Sequence, residues 1–279
     1  MISTERLANG ATLLLEPVDR TDTLCIGFWF LHGSRDESPG ERGFSHFLEH
    51  MLFKGTARRS ALAIAQEIDR VGGLINAFTE KETTCVYAII PREHLRLAFD
   101  VLTDMTVSSL LDPVEMGKEK EVIVNEIQSI DDSPDEKGHD RYLTEMWGEH
   151  PLARKITGEV AEVQGIEREA LERFYRQRII AANTIIAVAG NFDVNEVRDL
   201  AAAVFPAGGN GRTWKREPAP SWSGKISLVP DRYNQVQIYA GTTHELGTSV
   251  ADYYTSLVFS TAFGESMSCR LFQHLREEL

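Results

Sequence analysis

Between residues 43 and 53 the chain reads GFSHFLEHMLF, with apolar side chains at Phe44, Phe47, Leu48, Met51 and Leu52. Recurrence every three or four residues predicts a helix with one apolar face, ending near Gly55. Any fold of this chain must bury that face, which turns the polar residues of the same segment to the other side. His46 and His50 stand at i and i+4, so their imidazoles project together about one turn apart. Glu49 shares their side of the helix.

The remaining patterns predict what this helix packs against. Apolar runs at 11–15 and 24–31 read as two paired strands, and the Gly33-Ser34 step with the charges up to Glu41 reads as a loop. Ser60 is placed to cap a second helix through Ala61, Ile64, Ile68 and Val71, which Gly72-Gly73 ends. Residues 74–79 and 83–90 form a predicted hairpin closed by Pro91. Asp112-Pro113-Val114-Glu115 is a helix start, with a capping carboxylate and proline at the first helical position, for a helix running to about Ile130. The acidic stretch 131–136 breaks that pattern; 167–175 is again helical, 183–189 a strand and 194–204 a helix.

Strands and helices mix without strict alternation. The expected class is therefore α+β, a mostly antiparallel sheet packed with helices. Glycine, proline and charge replace periodicity at 207–223, predicting a linker between a first domain, 1–206, and a second unit, 224–279. Strand-like 225–229 and 235–241 followed by helical 251–263 loosely repeat the order of the N-terminus, as the start of a similar domain.

A net charge of −13 argues against a nucleic-acid binder and is compatible with basic peptides. No run approaches the ~20 apolar residues of a membrane span. The first residues lack a charged-then-apolar leader, so a cytoplasmic setting is expected. Cys25, Cys85 and Cys269 are too widely spaced for a disulfide framework or a cysteine-rich zinc site, and read as small buried hydrophobes.

His-Phe-Leu-Glu-His has the spelling of the inverted zincin motif, in which two histidines hold one metal ion and the glutamate works beside it without ligating. On these five residues alone, a surface helix with two solvated histidines is the competing reading. A zinc hydrolase needs a third protein ligand. The helix from Pro113 offers Glu119 and Glu126, two turns apart on one face, with Val122 and Ile123 expected to face the core.

GFSHFLEHMLFKGT and the later EVIVNEI around Glu126 resemble the pitrilysin or insulysin family, which includes mitochondrial processing peptidases and bacterial relatives. HGSRDE, GGLINAFTEKETTCVYA, DDSPDEKGHD, HPLARKITG and FYRQRIIAANTIIAVAGNFD extend the likeness over nearly the whole chain. The resemblance implies a zinc metalloendopeptidase in which His46, His50 and Glu126 hold Zn2+. It also implies that Glu49 is the general base and Glu119 a supporting carboxylate. Asn76, Ala77, Phe78 and Thr79 would lie on an edge strand that binds an extended peptide or unfolded segment. The first domain would be followed by the start of a similar second one, and the full-length protein would be a homodimer or a pair of family subunits.

In relatives the segment like GESMSCRLFQHLREEL continues into a motif that completes the site from the second domain, so the chain is expected to be truncated, binding zinc but cleaving peptides poorly alone. Two alternatives stand beside this reading. One is a non-catalytic family subunit that binds peptides for an active partner; the other is a metal-independent acidic interaction protein.

Overall fold

Among the described residues six segments form strands, five of them rich in apolar residues and the first polar: β1 (Ser3–Arg6), β2 (Thr12–Pro17), β3 (Thr23–Phe30), β4 (Leu74–Thr79), β5 (Thr84–Pro91) and β6 (Thr184–Gly190). The computed structural model describes residues 2–206, 216–221, 224–231, 233–241 and 249–279. The strands make one sheet in the order β1-β2-β6-β3-β5-β4. Only β2 and β6 run parallel; the other four neighbouring pairs are antiparallel. The α+β class, with a mostly antiparallel sheet, is therefore the one found.

β2 and β3 do not pair with each other, contrary to expectation, because β6 lies between them. The connection from Val18 to Asp22 is longer than a tight two-residue hairpin, long enough to step across one intervening strand.

Along β2 to β6 alternate residues enter or pack against the core. Leu13, Leu15, Leu24, Ile26, Phe28, Phe30, Val86, Ala88, Ile90, Ile186 and Val188 are buried on one face. Helices pack in the core on that side: α1 (Phe44–Leu52), α2 (Ala61–Asp69), α3 (Leu95–Val107) and α4 (Pro113–Asp132), then α6 (Val160–Gln164), α7 (Arg168–Arg178) and α8 (Val194–Ala203), while α5 (Pro134–Trp147) buries no residue and packs beside α4. α1 and α2 pack beside β4, α3 beside β3 and β5, and α8 beside β2.

β1, α3 and α5 were not predicted from the sequence. The stretch 131–136, expected to break the helical pattern, is a junction of two helices. The Ser133 N–H closes α4 on Ser129 and Ile130, and its side chain accepts from Glu136 N to open α5 with Pro134 at the first position.

The chain divides into two units, Met1–Pro220 with Ser227–Tyr239, and Ser221–Ile226 with Ala240–Leu279. Of the expected linker, residues 207–215 and 222–223 lie outside the described residues. Its described part begins at Arg216, whose guanidinium donates twice to the buried Asp36 carboxylate, at 2.9 and 2.8 Å. The second unit holds α9 (Val250–Ser260). Neither 225–229 nor 235–241 forms the expected strand, and Ile226, Leu228, Val236 and Ile238 stand exposed. Two strands without further neighbours or a covering helix make only a marginal ribbon.

Phe47 is fully buried where α1 meets the sheet. Phe47→Ala should cost about 3–5 kcal/mol of stability, read as a lowered thermal unfolding midpoint.

Candidate metal centre

The first turn of α1 is closed by a residue distant from it in the helix register. The buried Glu37 carboxylate accepts from the backbone N–H groups of Gly43, at 3.0 Å, and Ser45, at 2.8 Å. Gly43 has φ +80°, and a Cβ there would lie 2.8 Å from the Thr157 carbonyl oxygen, so only glycine fits this entry to the helix. Phe44, Phe47, Leu48, Met51 and Leu52 are buried, as the spacing predicts. His46, Glu49 and His50 are thereby presented to α4 and β4.

α4 begins at Asp112, whose carboxylate accepts from Val114 N at 2.8 Å and Glu115 N at 3.1 Å, with Pro113 next. Its buried stripe is Met116, Glu119, Ile123 and Ile127. Val122, expected in the core, is 47% exposed. One residue turns a helix by about 100°, so Val122 cannot share the face of Ile123.

His46, His50 and Glu126 come together with one candidate ligand atom each, all within 4.8 Å of one another. His46 Nε2 lies 3.5 Å from one Glu126 carboxylate oxygen and His50 Nε2 3.7 Å from the other. These separations exceed the usual 2.7–3.2 Å of an N–H···O bond. They match the edge of a tetrahedron, about 3.4 Å for metal–ligand bonds of about 2.1 Å. Two imidazoles and one carboxylate are also the donor set of a catalytic zinc site, so the residues fit that ion. His46 beside it holds the Glu126 carboxyl below its ordinary range, with His50 acting in the same direction and burial opposing.

Glu119 does not join this trio. It is buried, and one of its oxygens accepts from His50 Nδ1 at 3.0 Å while the other takes the Lys54 ammonium at 2.6 Å. A proton held on Nδ1 leaves Nε2 of His50 as the free lone pair, facing Glu126.

Glu49 is half-buried beside His50, and its carboxylate accepts a 2.6 Å hydrogen bond from the Thr79 hydroxyl. Thr79 ends β4, which among the described residues pairs with β5 alone and forms one edge of the sheet. Of the other residues expected on that strand, Asn76 is exposed and its side chain accepts from Ala77 N. Phe78 packs edge-on against Trp29, with centroids 5.5 Å apart, on the face away from the helices. Ala77 packs against the core.

Sequence reasoning missed Lys54, Glu37 and the Thr79–Glu49 bond. Only Lys54 carried a signal, four residues after His50. Burial pushes the nearby Cys85 thiol up to about 12, which disfavours its thiolate.

Residues 13–160 match the family model described as insulinase (peptidase family M16), and residues 165–279 the model described as the peptidase M16 inactive domain. An uncharacterised zinc protease of Streptomyces coelicolor is 35% identical over 280 residues, covering 98% of this chain and 61% of its own length. Another, from Bacillus subtilis, is 34% identical over 278 residues, covering 100% of this chain and 68% of its own. The crystal structure of a protease from Helicobacter pylori superposes with a TM-score of 0.86 at 20% identity, over 100% of this chain and 68% of that one, and shows the same fold. The chain spans about two thirds of the length of these proteins.

Burial pushes Glu37 up to about 8, against the pull of its two backbone donors and of Arg154. A carboxyl with a higher pKa folded than unfolded stabilises the fold at low pH, and that contribution is lost as pH rises from about 4.5 towards 8. Thermal melts at about pH 5 and pH 9 should show a smaller fall in midpoint for Glu37→Gln than for the parent chain.

Proposed function

This chain belongs to the insulinase (M16) family of peptidases, and from that membership we propose that it is the zinc-binding part of a metalloendopeptidase acting on peptides or unfolded segments in extended form. The observation that carries the reading is the convergence of His46, His50 and Glu126 from two helices, beside a carboxylate that is not a ligand and an unpaired strand edge.

When bound by His46, His50 and Glu126, Zn2+ would supply Lewis acidity and bring the pKa of water towards ~7. Glu49, one residue before His50 and held by Thr79, takes the proton of the attacking water and returns it to the leaving amine. Glu119 keeps the His50 ring in one tautomer and one orientation. The open side of β4 pairs with the substrate backbone as an added strand, so that Asn76, Ala77, Phe78 and Thr79 run alongside it. Backbone pairing of this kind favours extended chains over folded ones and reads side chains only through pockets.

The relatives are longer than this chain, and the reading extends to a protein of their length. On this reading it works as a pair of like subunits in a reducing, cytoplasmic compartment, which suits three free cysteines. Among the described residues no helix is long and apolar enough to cross a membrane.

Two substitutions test the reading. Glu49→Gln in the complete protein should retain zinc and lose peptide hydrolysis by about 100-fold or more; activity within about tenfold of the parent would remove the base role. Glu126→Gln should lower zinc content after dialysis, and a full complement of zinc would mean that the third ligand lies elsewhere.

A further inference from the structure

Lys54 belongs to no role assigned so far. It follows the end of α1, where its N–H bonds to the Met51 carbonyl at 3.2 Å. The next residue, Gly55, has φ +111°, a conformation that disfavours any side chain. Beyond it the chain is tied down: Leu110 N donates to the Gly55 carbonyl, and Ser109 Oγ to the Met51 carbonyl. The backbone that carries Lys54 is therefore fixed on both sides, and its side chain, 29% exposed, runs inward to α4.

Its ammonium meets Glu119, whose side chain is only 5% exposed, at 2.6 Å. A carboxylate so deeply buried needs partners for both oxygens, and Glu119 has Lys54 on one and His50 Nδ1 on the other. The three groups form a line from the surface to the metal-facing side of His50.

Resting on the zinc reading above, we propose that Lys54 is a positioning residue for the metal. By anchoring Glu119, it fixes the His50 ring with Nε2 turned towards His46 and Glu126. Two effects of removing Lys54 oppose each other. Loss of a nearby cation lessens repulsion of the ion, while loss of the anchor frees Glu119 and with it the His50 ring. The anchor decides the sign, because Glu119 stands between Lys54 and His50 and its charge offsets that of the ammonium, whereas the 2.6 Å contact has no replacement from solvent at a buried oxygen.

The test is zinc affinity by chelator competition on this chain, with circular dichroism of each metal-free variant as a check on folding. Lys54→Met should weaken zinc binding about tenfold, the scale seen when partners of metal-binding histidines are removed. Lys54→Arg, which keeps a cation for Glu119, should recover most of that loss. In a Glu119→Gln background, Lys54→Met should add almost nothing, because the effect passes through the carboxylate. Unchanged or tighter binding by a folded Lys54→Met variant overturns the proposal, as does a tenfold loss that persists undiminished with Gln at 119. Failure of the parent chain to bind zinc at all would instead remove the reading on which it rests.

Discussion

Helix α1 buries Phe44, Phe47, Leu48, Met51 and Leu52 in the core, Phe44 against Phe174 of α7, and this burial commits His46, Glu49 and His50 to the side facing α4 and the end of β4. A helix has no freedom to present both faces inward, so the rotation that satisfies the apolar stripe also aims the imidazoles. The entry at Gly43, capped by Glu37, and the exit at Gly55 set where along its axis the helix begins and ends. The rest of the site is built around that one fixed rod.

α4 answers α1 with a stripe of its own. Met116, Ile123 and Ile127 pack, and Glu119 occupies a buried position between them that would be hard to tolerate for an isolated carboxylate. Its cost is offset by two hydrogen-bonded partners, one a cation. Glu126, two turns along, is less buried and remains within reach of both imidazoles. Two glutamates on one helix face thus differ in role because one meets Nδ1 of His50 and the other faces Nε2.

The sheet contributes its edge. Among the described residues β4 has a neighbour on one side only, and Thr79 at its end is hydrogen-bonded to Glu49, so the strand proposed to take a peptide and the proposed base are joined by one short bond. The proposed zinc-dependent proteolysis would give these features a common chemistry, and the short reach of each contact explains why a small displacement of β4 or α4 would be felt at Glu49 or His50.

Local patterns in the sequence determined α1, α2, the β4–β5 hairpin, the start of α4 and the His46–Glu49–His50 set, because periodicity, caps and turn residues act over one or two turns of chain. The sequence order suggested that β2 and β3 pair, and read the acidic run after Ile130 as a break. Tertiary structure decided otherwise, since β6 arrives from far along the chain to fill the gap, and Ser133 ends one helix while opening the next. It also decided that Glu119 binds His50 and Lys54 while Glu126 stands among the candidate ligands. Both glutamates share a helical face and are indistinguishable by spacing. Only the packing of α4 against α1 gives each a different neighbour, and that neighbour sets its chemistry.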